Sequence, residues 1–383
     1  MVVSRLKDFS SFIVMDVLEK AHELEKQGID VIHLEVGEPD FDTPECIKKA
    51  ICKAMDNGDT HYTHSLGIME LREAICEHYY DKYAVSVSPE QILVCSGTSP
   101  AIFIMFSALL EKNDQVIISD PHYACYPNFI KFLDAQPVTV KVFENDGFQY
   151  HPDAIKAKIT HKTKAIFINS PSNPTGNLLS PERMKEIAAL SPYILSDEIY
   201  HGLVYEGKEH SILEFTDHAF VLNGFSKLFA MTGLRLGYVI APKGFIRSMQ
   251  KVQQNFFISA NSLIQKAAIA ALTEANNDIQ EMKNTYNRRR LFMIDRLKKL
   301  GFGITVEPTG AFYVFANAKH ISNNSYKLAF DILQKAHVGV SPGIDFGING
   351  EGYLRFSYAN SLENIAEGLN RIESYLKNCK TGF

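Results

Sequence analysis

The sequence predicts an α/β protein with a three-layer large domain, in which helices cover both faces of a mostly parallel (mixed) sheet, and a smaller α+β domain. A length of 383 residues suits one large domain and one smaller domain. Short strand-like runs alternate with helix-length segments through the middle of the chain, which is typical of parallel sheets. After Gly301 this alternation ends. We therefore predict a large domain at residues 45–285 and a small domain formed by residues 1–44 and 286–383.

The chain begins with a predicted helix. Between residues 12 and 27, apolar side chains recur at helical spacing, and Gly28 ends the pattern. The run from Val31 to Val36 follows as a predicted strand. We expect this N-terminal helix to join the small domain.

The middle of the chain carries the strands of the predicted sheet. They are Ile92 to Cys95, Val116 to Ser119, Val138 to Val142, Ala165 to Asn169, Tyr193 to Ser196, Ala219 to Leu222 and Leu236 to Ile240. Helical patterns at residues 100–111, 123–134 and 181–190 lie between strands. Because parallel strands need long crossover connections, most of these strands should pair in parallel.

The last third of the chain has a different pattern. A long helical pattern covers residues 260–300 with few helix breakers. The elements predicted beyond it are strands at Phe302 to Val306, Ala311 to Ala316, Val338 to Val340 and Tyr353 to Tyr358, and helices at 325–336 and 361–377. This mixture predicts the smaller α+β domain.

Composition and charge exclude several classes of function. The formal net charge is -5 without long blocks of one sign, which argues against nucleic-acid or membrane partners. The longest apolar run, Ala101 to Leu110, is too short to span a membrane. The six cysteines include no C-x-x-C pair, so we expect reduced thiols in a cytoplasmic protein.

Familiar nucleotide-binding and hydrolase motifs are absent from the sequence. It contains no G-x-G-x-x-G after a strand, no G-x-x-x-x-G-K-[ST] and no G-x-S-x-G. His61 and His64 stand three residues apart, but they lie in a polar turn, where ordinary histidines outnumber metal ligands. We therefore predict no metal site.

Two turns that follow predicted strands have the composition of ligand-binding loops. The turn SGTSP at residues 96–100 opens a helix, where free backbone N–H groups suit a phosphate. The turn SPSNPTG at residues 170–176 is rigid and follows a strand, where open α/β sheets bind ligands. Taken singly, a capped helix and a plain loop are adequate explanations of these turns.

Two further strand ends carry ionisable residues. Asp197, with Tyr200 three residues later, is well placed to meet a cationic ligand nitrogen. Lys227 lies among apolar neighbours that would lower its pKa and make the amine nucleophilic, and Arg235 follows eight residues later. A helix cap and a solvated lysine are the ordinary alternatives. Because the carboxyl ends of parallel strands share one edge, all four strand ends would meet in a single site.

These motifs, in this order, resemble those of the fold-type I pyridoxal-phosphate aminotransferases of class I/II, most of all the prokaryotic-type aspartate aminotransferase subgroup. The resemblance covers nearly the whole chain through Gly37 to Phe41, Tyr62, Gly67, Leu71 and Arg72, residues 172–176, Asp197 to Tyr200, Ser226 to Arg235, Gly310 to Tyr313 and Tyr353 to Tyr358. It implies the fold of the type I pyridoxal-phosphate transferases and pyridoxal 5'-phosphate as cofactor. It also implies a ping-pong aminotransferase (EC 2.6.1.-) that acts on amino acids and 2-oxo acids.

The resemblance implies roles for residues around the cofactor ring. Lys227 would form the Schiff base and shuttle the proton of the substrate, and Asp197 would keep the pyridine nitrogen protonated. Asn173 and Tyr200 would hydrogen-bond the ring 3-oxygen, and Tyr123 would stack on the ring face.

It also implies how the phosphate and the substrate would be bound. The phosphate residues would be Ser96, Gly97, Thr98, Ser99, Ser226 and Arg235. Tyr62 would reach the phosphate of the neighbouring subunit, so the protein would be a homodimer with shared active sites. Arg355 would bind the substrate α-carboxylate, assisted by Gly37 and Asn173.

Some details of this sequence depart from the family pattern. Gly224 stands where many relatives have a phosphate-binding Ser, and Leu234 stands where Trp is common. Tyr126 stands where eukaryotic-type relatives have a His behind the pyridine-binding Asp, which leaves that support open. The resemblance further implies cis peptide bonds at 120–121 and 173–174.

The leading function is transfer of an amino group from an L-amino acid (aspartate-like, alanine or aromatic) to a 2-oxo acid such as 2-oxoglutarate. The alternative on the same scaffold is a C–S β-lyase, which would use the same lysine. A regulator with this fold would need an added DNA-binding domain, and the aminotransferase pattern leaves no room for one. No residue can be assigned from sequence to a distal substrate carboxylate, so the amino donor stays open.

Overall fold

The computed structural model describes residues 9–380 of the chain, without the side chains of 379 and 380. Residues 1–8 of the predicted small domain and the thiol of Cys379 therefore lie outside the described residues. The strands are β1 (Ile32–His33), β2 (Ile92–Cys95), β3 (Gln115–Asp120), β4 (Gln136–Lys141), β5 (Thr163–Asn169), β6 (Tyr193–Asp197), β7 (Ala219–Gly224), β8 (Gly237–Ile240), β9 (Tyr313–Asn317), β10 (Val338–Gly339), β11 (Ser341–Pro342) and β12 (Tyr353–Ser357).

The helices alternate with these strands through most of the chain. They are α1 (Ile13–Glu25), α2 (Glu45–Asp56), α3 (Met69–Tyr83), α4 (Thr98–Leu109), α5 (Tyr126–Phe132), α6 (Pro152–Lys156), α7 (Pro181–Ala188), α8 (Lys243–Phe256), α9 (Ser262–Glu274), α10 (Asn276–Lys299), α11 (Ser325–Ala336) and α12 (Leu362–Lys380). Within the described part of the chain, no helix is both long enough and apolar enough to cross a membrane.

The main sheet has seven strands in the order β2-β8-β7-β6-β5-β3-β4. Strand β8 is antiparallel to both of its neighbours, β2 and β7, and the remaining pairs are parallel. The predicted mostly parallel, mixed sheet is therefore confirmed, and each of its predicted strands is present within a few residues.

Helices cover both faces of this sheet. Ile92 and Val94 of β2 pack into one apolar cluster, and Leu93 and Cys95 pack into another. Side chains of a strand alternate between faces, so these two clusters are the two sides of the sheet. The first cluster includes residues of α3 and α9, and the second includes residues of α4 and α8, which confirms the three predicted layers.

A second group of strands lies beyond the main sheet. Strands β11, β12 and β9 form an antiparallel sheet, and β1 pairs in parallel with β10. Val17 and Ala21 of α1 pack against Leu333 of α11. We propose to keep the domain boundaries at residues 45 and 286, although α10 runs continuously through the second of them.

Three predicted elements differ in the structure. The predicted strand at 302–306 was wrong: only Gly303 pairs with Asn317, and the backbone N–H of Thr305 donates to the Glu144 side chain instead of to a strand. The strand predicted at 31–36 is shorter in the structure, where it covers only β1. The carbonyl of Glu35 accepts hydrogen bonds from the side chains of Ser341 and Arg355 and so does not extend the strand pairing. The helical pattern at 260–300 is divided into α9 and α10 at Ala275.

Candidate active site

The four strand ends selected from the sequence meet at one edge of the main sheet. Strands β2 and β7 are both antiparallel to β8, so they run in the same direction as β5 and β6. A cavity of about 410 Å³ opens at this edge and is lined by Thr98, Asn173, Asp197 and Lys227, which come from the four ends. The sheet topology therefore brings these residues to one cavity.

One end of the cavity is suited to an anion. Helix α4 begins after Gly97, which has a φ of 102° and no side chain to cap the helix, so backbone N–H groups at its start are left for a ligand. The guanidinium of Arg235 lies against this turn, since a Cβ built on Gly97 would come within 2.7 Å of Nη2. Arg235 Nη1 donates a 2.8 Å hydrogen bond to the carbonyl of Thr232. The helix start and the cation together make a cradle suited to an anion such as a phosphate.

Two glycines bring the anion cradle close to the strand that precedes Lys227. A Cβ on Gly224 would lie 2.9 Å from Cα of Gly237, and a Cβ on Gly237 would lie 2.9 Å from the backbone N of Thr98. Because such distances are too short for a side chain, β7, β8 and the start of α4 can approach only with glycine at both positions. This explains why Gly224, and not a serine, precedes the lysine loop.

Asp197 is buried, and both of its carboxylate oxygens are hydrogen-bonded. The hydroxyl of Tyr126 donates a 2.6 Å hydrogen bond to Oδ2, and the backbone N–H of Ile199 donates a 3.1 Å bond to Oδ1. Burial raises the pKa of Asp197 to about 6, while these hydrogen bonds and the positive charge of Lys227 oppose that rise. The support that the sequence left open is thus supplied by Tyr126.

Lys227 is held at the wall of the same cavity. Its Nζ donates a 2.6 Å hydrogen bond to the carbonyl of Gly37 and lies 5.9 Å from the centre of the Phe312 ring. Burial lowers the pKa of Lys227 to about 8, with Arg355 and Arg235 adding to that effect. A lysine amine with this pKa is neutral in a useful fraction of molecules near neutral pH, as a nucleophile or base must be.

Arg355 is buried and fixed by several acceptors. Its Nη1 donates a 2.9 Å hydrogen bond to Oδ1 of Asn173, and its Nη2 donates to the carbonyl of Glu35 at 2.5 Å. The guanidinium carbon lies 4.3 Å from the centre of the Tyr313 ring. Its Nε has no hydrogen-bond partner among the described residues. Arg355 lines the cavity, and a guanidinium fixed in this way is suited to an incoming carboxylate.

Two residues that line the cavity, Tyr313 and Asn169, were not assigned to the site from the sequence. The hydroxyl of Tyr313 lies 2.8 Å from that of Tyr200, and both side chains are buried. Asn169 stands directly beside Asp197 in the sheet, donates to its carbonyl at 2.9 Å and accepts from the backbone N–H of Asn173 at 2.8 Å. Asn169 is the last residue of a predicted strand, and this position could have indicated from the sequence that it belongs to the site.

The other wall of the cavity comes from the N-terminal helix, which the sequence did not connect with the site. The residues that line this wall are Phe12, Val14, Met15 and Leu18. Phe12 also makes an edge contact with Tyr123, with ring centres 5.9 Å apart. Part of the cavity lining is therefore apolar.

The predicted site residues divide into two groups. Those that line the cavity are Gly37, Thr98, Ser99, Tyr123, Asn173, Asp197, Tyr200, Ser226, Lys227, Arg235 and Arg355. Those that do not line it are Ser96 and Gly97, in the turn before Thr98, and Tyr62, which is 83% exposed. The cis peptide bonds expected at 120–121 and 173–174 are present, with a third at 170–171 that was not predicted. Among the described residues, no cluster of His, Cys, Asp and Glu could hold a metal ion.

The fold and this set of side chains define an aminotransferase. The model of the family "Aminotransferase class I and II" matches residues 29–372, and the chain belongs to that family. This family uses pyridoxal phosphate. The relatives described below are transaminases, and they give no support to the C–S lyase alternative.

Two relatives and one solved structure are similar to this chain over nearly its whole length. The chain is 44% identical to the (5-formylfuran-3-yl)methyl phosphate transaminase of Methanocaldococcus jannaschii, over 98% of this chain and 100% of that protein. It is 42% identical to an aspartate aminotransferase of Pyrococcus horikoshii, over 95% and 94% of the two chains. The structure of aspartate aminotransferase from Thermus thermophilus with maleate superposes with a TM-score of 0.94 at 36% identity, over 98% of this chain and 99% of that one.

Proposed function

We propose that this aminotransferase binds pyridoxal 5'-phosphate on Lys227 and transfers the amino group of an L-amino acid to a 2-oxo acid, with 2-oxoglutarate as one acceptor. The observation that carries the proposal is the convergence of Lys227, Asp197 and Arg355 on one cavity. These residues supply an amine of lowered pKa, a buried carboxylate and a buried guanidinium.

The residues present fit this cofactor. The uncapped start of α4 and the guanidinium of Arg235 suit its phosphate, with Ser99 and Ser226 also in the lining. Asp197 suits the pyridine nitrogen, because a carboxylate held in a buried position favours a protonated ring. Bound in this way, pyridoxal phosphate supplies a covalent attachment for the substrate amine and an electron sink for the pair released at the substrate Cα.

Lys227 would act twice, first as the attachment point and then as the group that moves a proton from the substrate Cα. A lowered pKa suits both roles, because the amine must be neutral to attack and must then accept a proton. The hydrogen bond to the carbonyl of Gly37 orients the free amine before the reaction. Asn173, Tyr200 and Tyr123 would contact the ring, and all line the cavity.

Arg355 would bind the α-carboxylate that amino acids and 2-oxo acids share. The acceptors on its Nη1 and Nη2 fix the plane of the guanidinium, and its Nε is left without a partner. The rings of Tyr313 and Phe346 lie 4.3 and 4.9 Å from its central carbon and keep water away from it. A fixed and desolvated guanidinium gives both binding energy and orientation.

The apolar wall formed by α1 favours a neutral substrate side chain. Within the described chain, the cationic side chains that line the cavity are Lys227, Arg235 and Arg355, and each already has a proposed role. A distal carboxylate would therefore have to be bound by the neighbouring subunit. We accordingly place alanine and aromatic amino acids ahead of aspartate as amino donors.

A donor panel tests this proposal. Alanine, phenylalanine, tyrosine and aspartate would each be supplied to the holoenzyme, and single-turnover loss of the cofactor absorbance would be followed. We expect the neutral donors to give the higher kcat/KM with 2-oxoglutarate as acceptor. A kcat/KM for aspartate tenfold or more above that for the neutral donors would contradict the substrate assignment. The absence of turnover with every donor would contradict the function.

We also propose the homodimer and the cytoplasmic location expected from the sequence. The exposed ring of Tyr62 is consistent with a contact to a neighbouring subunit. The five described cysteines are unpaired, in keeping with a reducing compartment. Light scattering of the purified holoenzyme would test the homodimer, and we expect the mass of a dimer. In the Tyr62→Phe variant we expect a higher dissociation constant for pyridoxal phosphate, measured by titration of the apoenzyme.

A further inference from the structure

Glu35 is a fully buried acidic residue with no role in the proposed reaction. Its Oε1 lies 2.7 Å from Nδ1 of His33, whereas its Oε2 has no hydrogen-bond partner among the described residues. Its carboxylate packs on Gly339 of β10, at a place where any larger residue would overlap Oε2. Because a buried carboxylate is costly without a partner, Glu35 depends on His33.

His33 connects this carboxylate to the N-terminal helix. Its Nε2 lies 3.2 Å from Oε1 of Glu25 in the last turn of α1, and its side chain is 25% exposed. The ring of His22, also on α1, lies 5.9 Å away. The hydrogen bond with Glu35 raises the pKa of His33 to about 9 in spite of burial, so the ring is a cation at neutral pH.

The backbone of Glu35 holds the guanidinium of Arg355. The carbonyl oxygen of Glu35 accepts a 2.5 Å hydrogen bond from Nη2 of Arg355 and a 3.1 Å bond from Oγ of Ser341. Oγ of Ser341 also accepts from the same Nη2 at 3.1 Å. The carboxylate and the carbonyl belong to one residue just beyond the two-residue strand β1. A shift of the side chain would therefore displace the carbonyl that holds Arg355.

We propose that His33 and Glu35 form a positioning pair for Arg355. Their ion pair anchors the Glu35 side chain on β10 and thereby fixes the carbonyl that directs the guanidinium into the cavity. Neither residue lines the cavity, so both act through Arg355. The inference rests on the proposed binding of the α-carboxylate by Arg355. It differs from a purely structural role of the same ion pair, which would affect stability and leave KM unchanged.

The test compares three variants of the holoenzyme: His33→Gln, Glu35→Gln and the double variant. His33→Gln leaves the carboxylate buried without its cation, and we expect KM for both the amino donor and 2-oxoglutarate to rise about tenfold, with kcat within about twofold. The double variant removes both charges, so we expect its KM to return to within about threefold of the starting value. Melting temperatures would be recorded for each variant.

His22→Gln is the matched control, because His22 is 54% exposed and lies 4.0 Å from the same Glu25. It should leave KM unchanged. Arg355→Ala is run alongside: if it fails to raise KM, the proposed function of Arg355 and the inference both fall. If Arg355→Ala raises KM but His33→Gln only lowers the melting temperature, the positioning role alone is overturned. The same holds if KM of the double variant is raised as much as KM of His33→Gln.

Discussion

The hydroxyl of Tyr126 donates a 2.6 Å hydrogen bond to Oδ2 of Asp197, across 71 residues of sequence. Tyr126 begins α5, and Asp197 ends β6. The bond favours the ionised carboxylate and so opposes the burial that raises the pKa of Asp197 to about 6. A tyrosine therefore supports the carboxylate on which the protonation of a bound pyridine would depend.

Removal of this hydroxyl tests its importance. In Tyr126→Phe we expect a further rise in the pKa of Asp197 and a fall in kcat of about tenfold, the size of one buried hydrogen bond to a charged group. The measurement is kcat as a function of pH. Tyr150→Phe is the matched control, because Tyr150 is also buried but its hydroxyl has no partner among the described residues. Equal rates for Tyr126→Phe and the parent would contradict the role.

The covalent role of Lys227 is tested by its removal. Lys227→Ala should fold normally and lose transamination, because it lacks both the attachment point and the group that moves the proton. Borohydride reduction followed by peptide mass spectrometry should label Lys227 in the parent and leave the variant unlabelled at that position. Lys283→Ala serves as the control, because Lys283 does not line the cavity. Retained turnover in Lys227→Ala would refute the assignment.

The lowered pKa of Lys227 gives a pH dependence of definite sign. A lysine whose pKa falls from 10.5 to about 8 loses its proton at lower pH than a free lysine. Its neutral fraction should therefore increase between about pH 7 and 9. The initial rate at which apoenzyme takes up pyridoxal phosphate should increase in the same interval, with a midpoint near pH 8. A midpoint near 10 would show that the amine is not desolvated.

Arg355 should act mainly on substrate binding. Arg355→Ala leaves an incoming carboxylate without a charged donor, and we expect KM for donor and acceptor to rise by about 100-fold or more, as for a buried charge pair. Arg355→Lys keeps the charge but loses the planar fork, so it should recover only part of the affinity. KM and kcat measured for both half-reactions would check this. An unchanged KM in Arg355→Ala would exclude the role.

The two glycines behind the anion cradle give a steric prediction. In Gly237→Ala the new methyl group would lie 2.9 Å from backbone atoms of Gly97 and Thr98. Because this distance is too short for a methyl group, β8 would have to move away from the start of α4. We expect weaker retention of pyridoxal phosphate, measured as its dissociation constant, with a smaller effect on the melting temperature. Gly244→Ala is the control, because a Cβ there meets nothing within 4 Å. Unaltered cofactor affinity in Gly237→Ala would contradict the close approach.

The sequence predicted the strands of the main sheet and most of the residues at their ends. It did so because a strand buried on both faces is a continuous apolar run, and the polar residue that ends such a run is easily located. Asp197, Lys227 and the turn at 96–100 were found in this way and share one cavity. Family resemblance then added Arg355, which no local pattern marks.

The tertiary structure alone decided which distant segments complete the site. The sequence does not show that α1 forms a wall of the cavity, that Tyr126 reaches Asp197, or that Glu35 holds Arg355, 320 residues away. Periodicity records whether a side chain is buried, since burial depends on the local pattern of apolar residues. It does not record which surface covers that side chain, because contacts between remote segments depend on the packing of the whole chain.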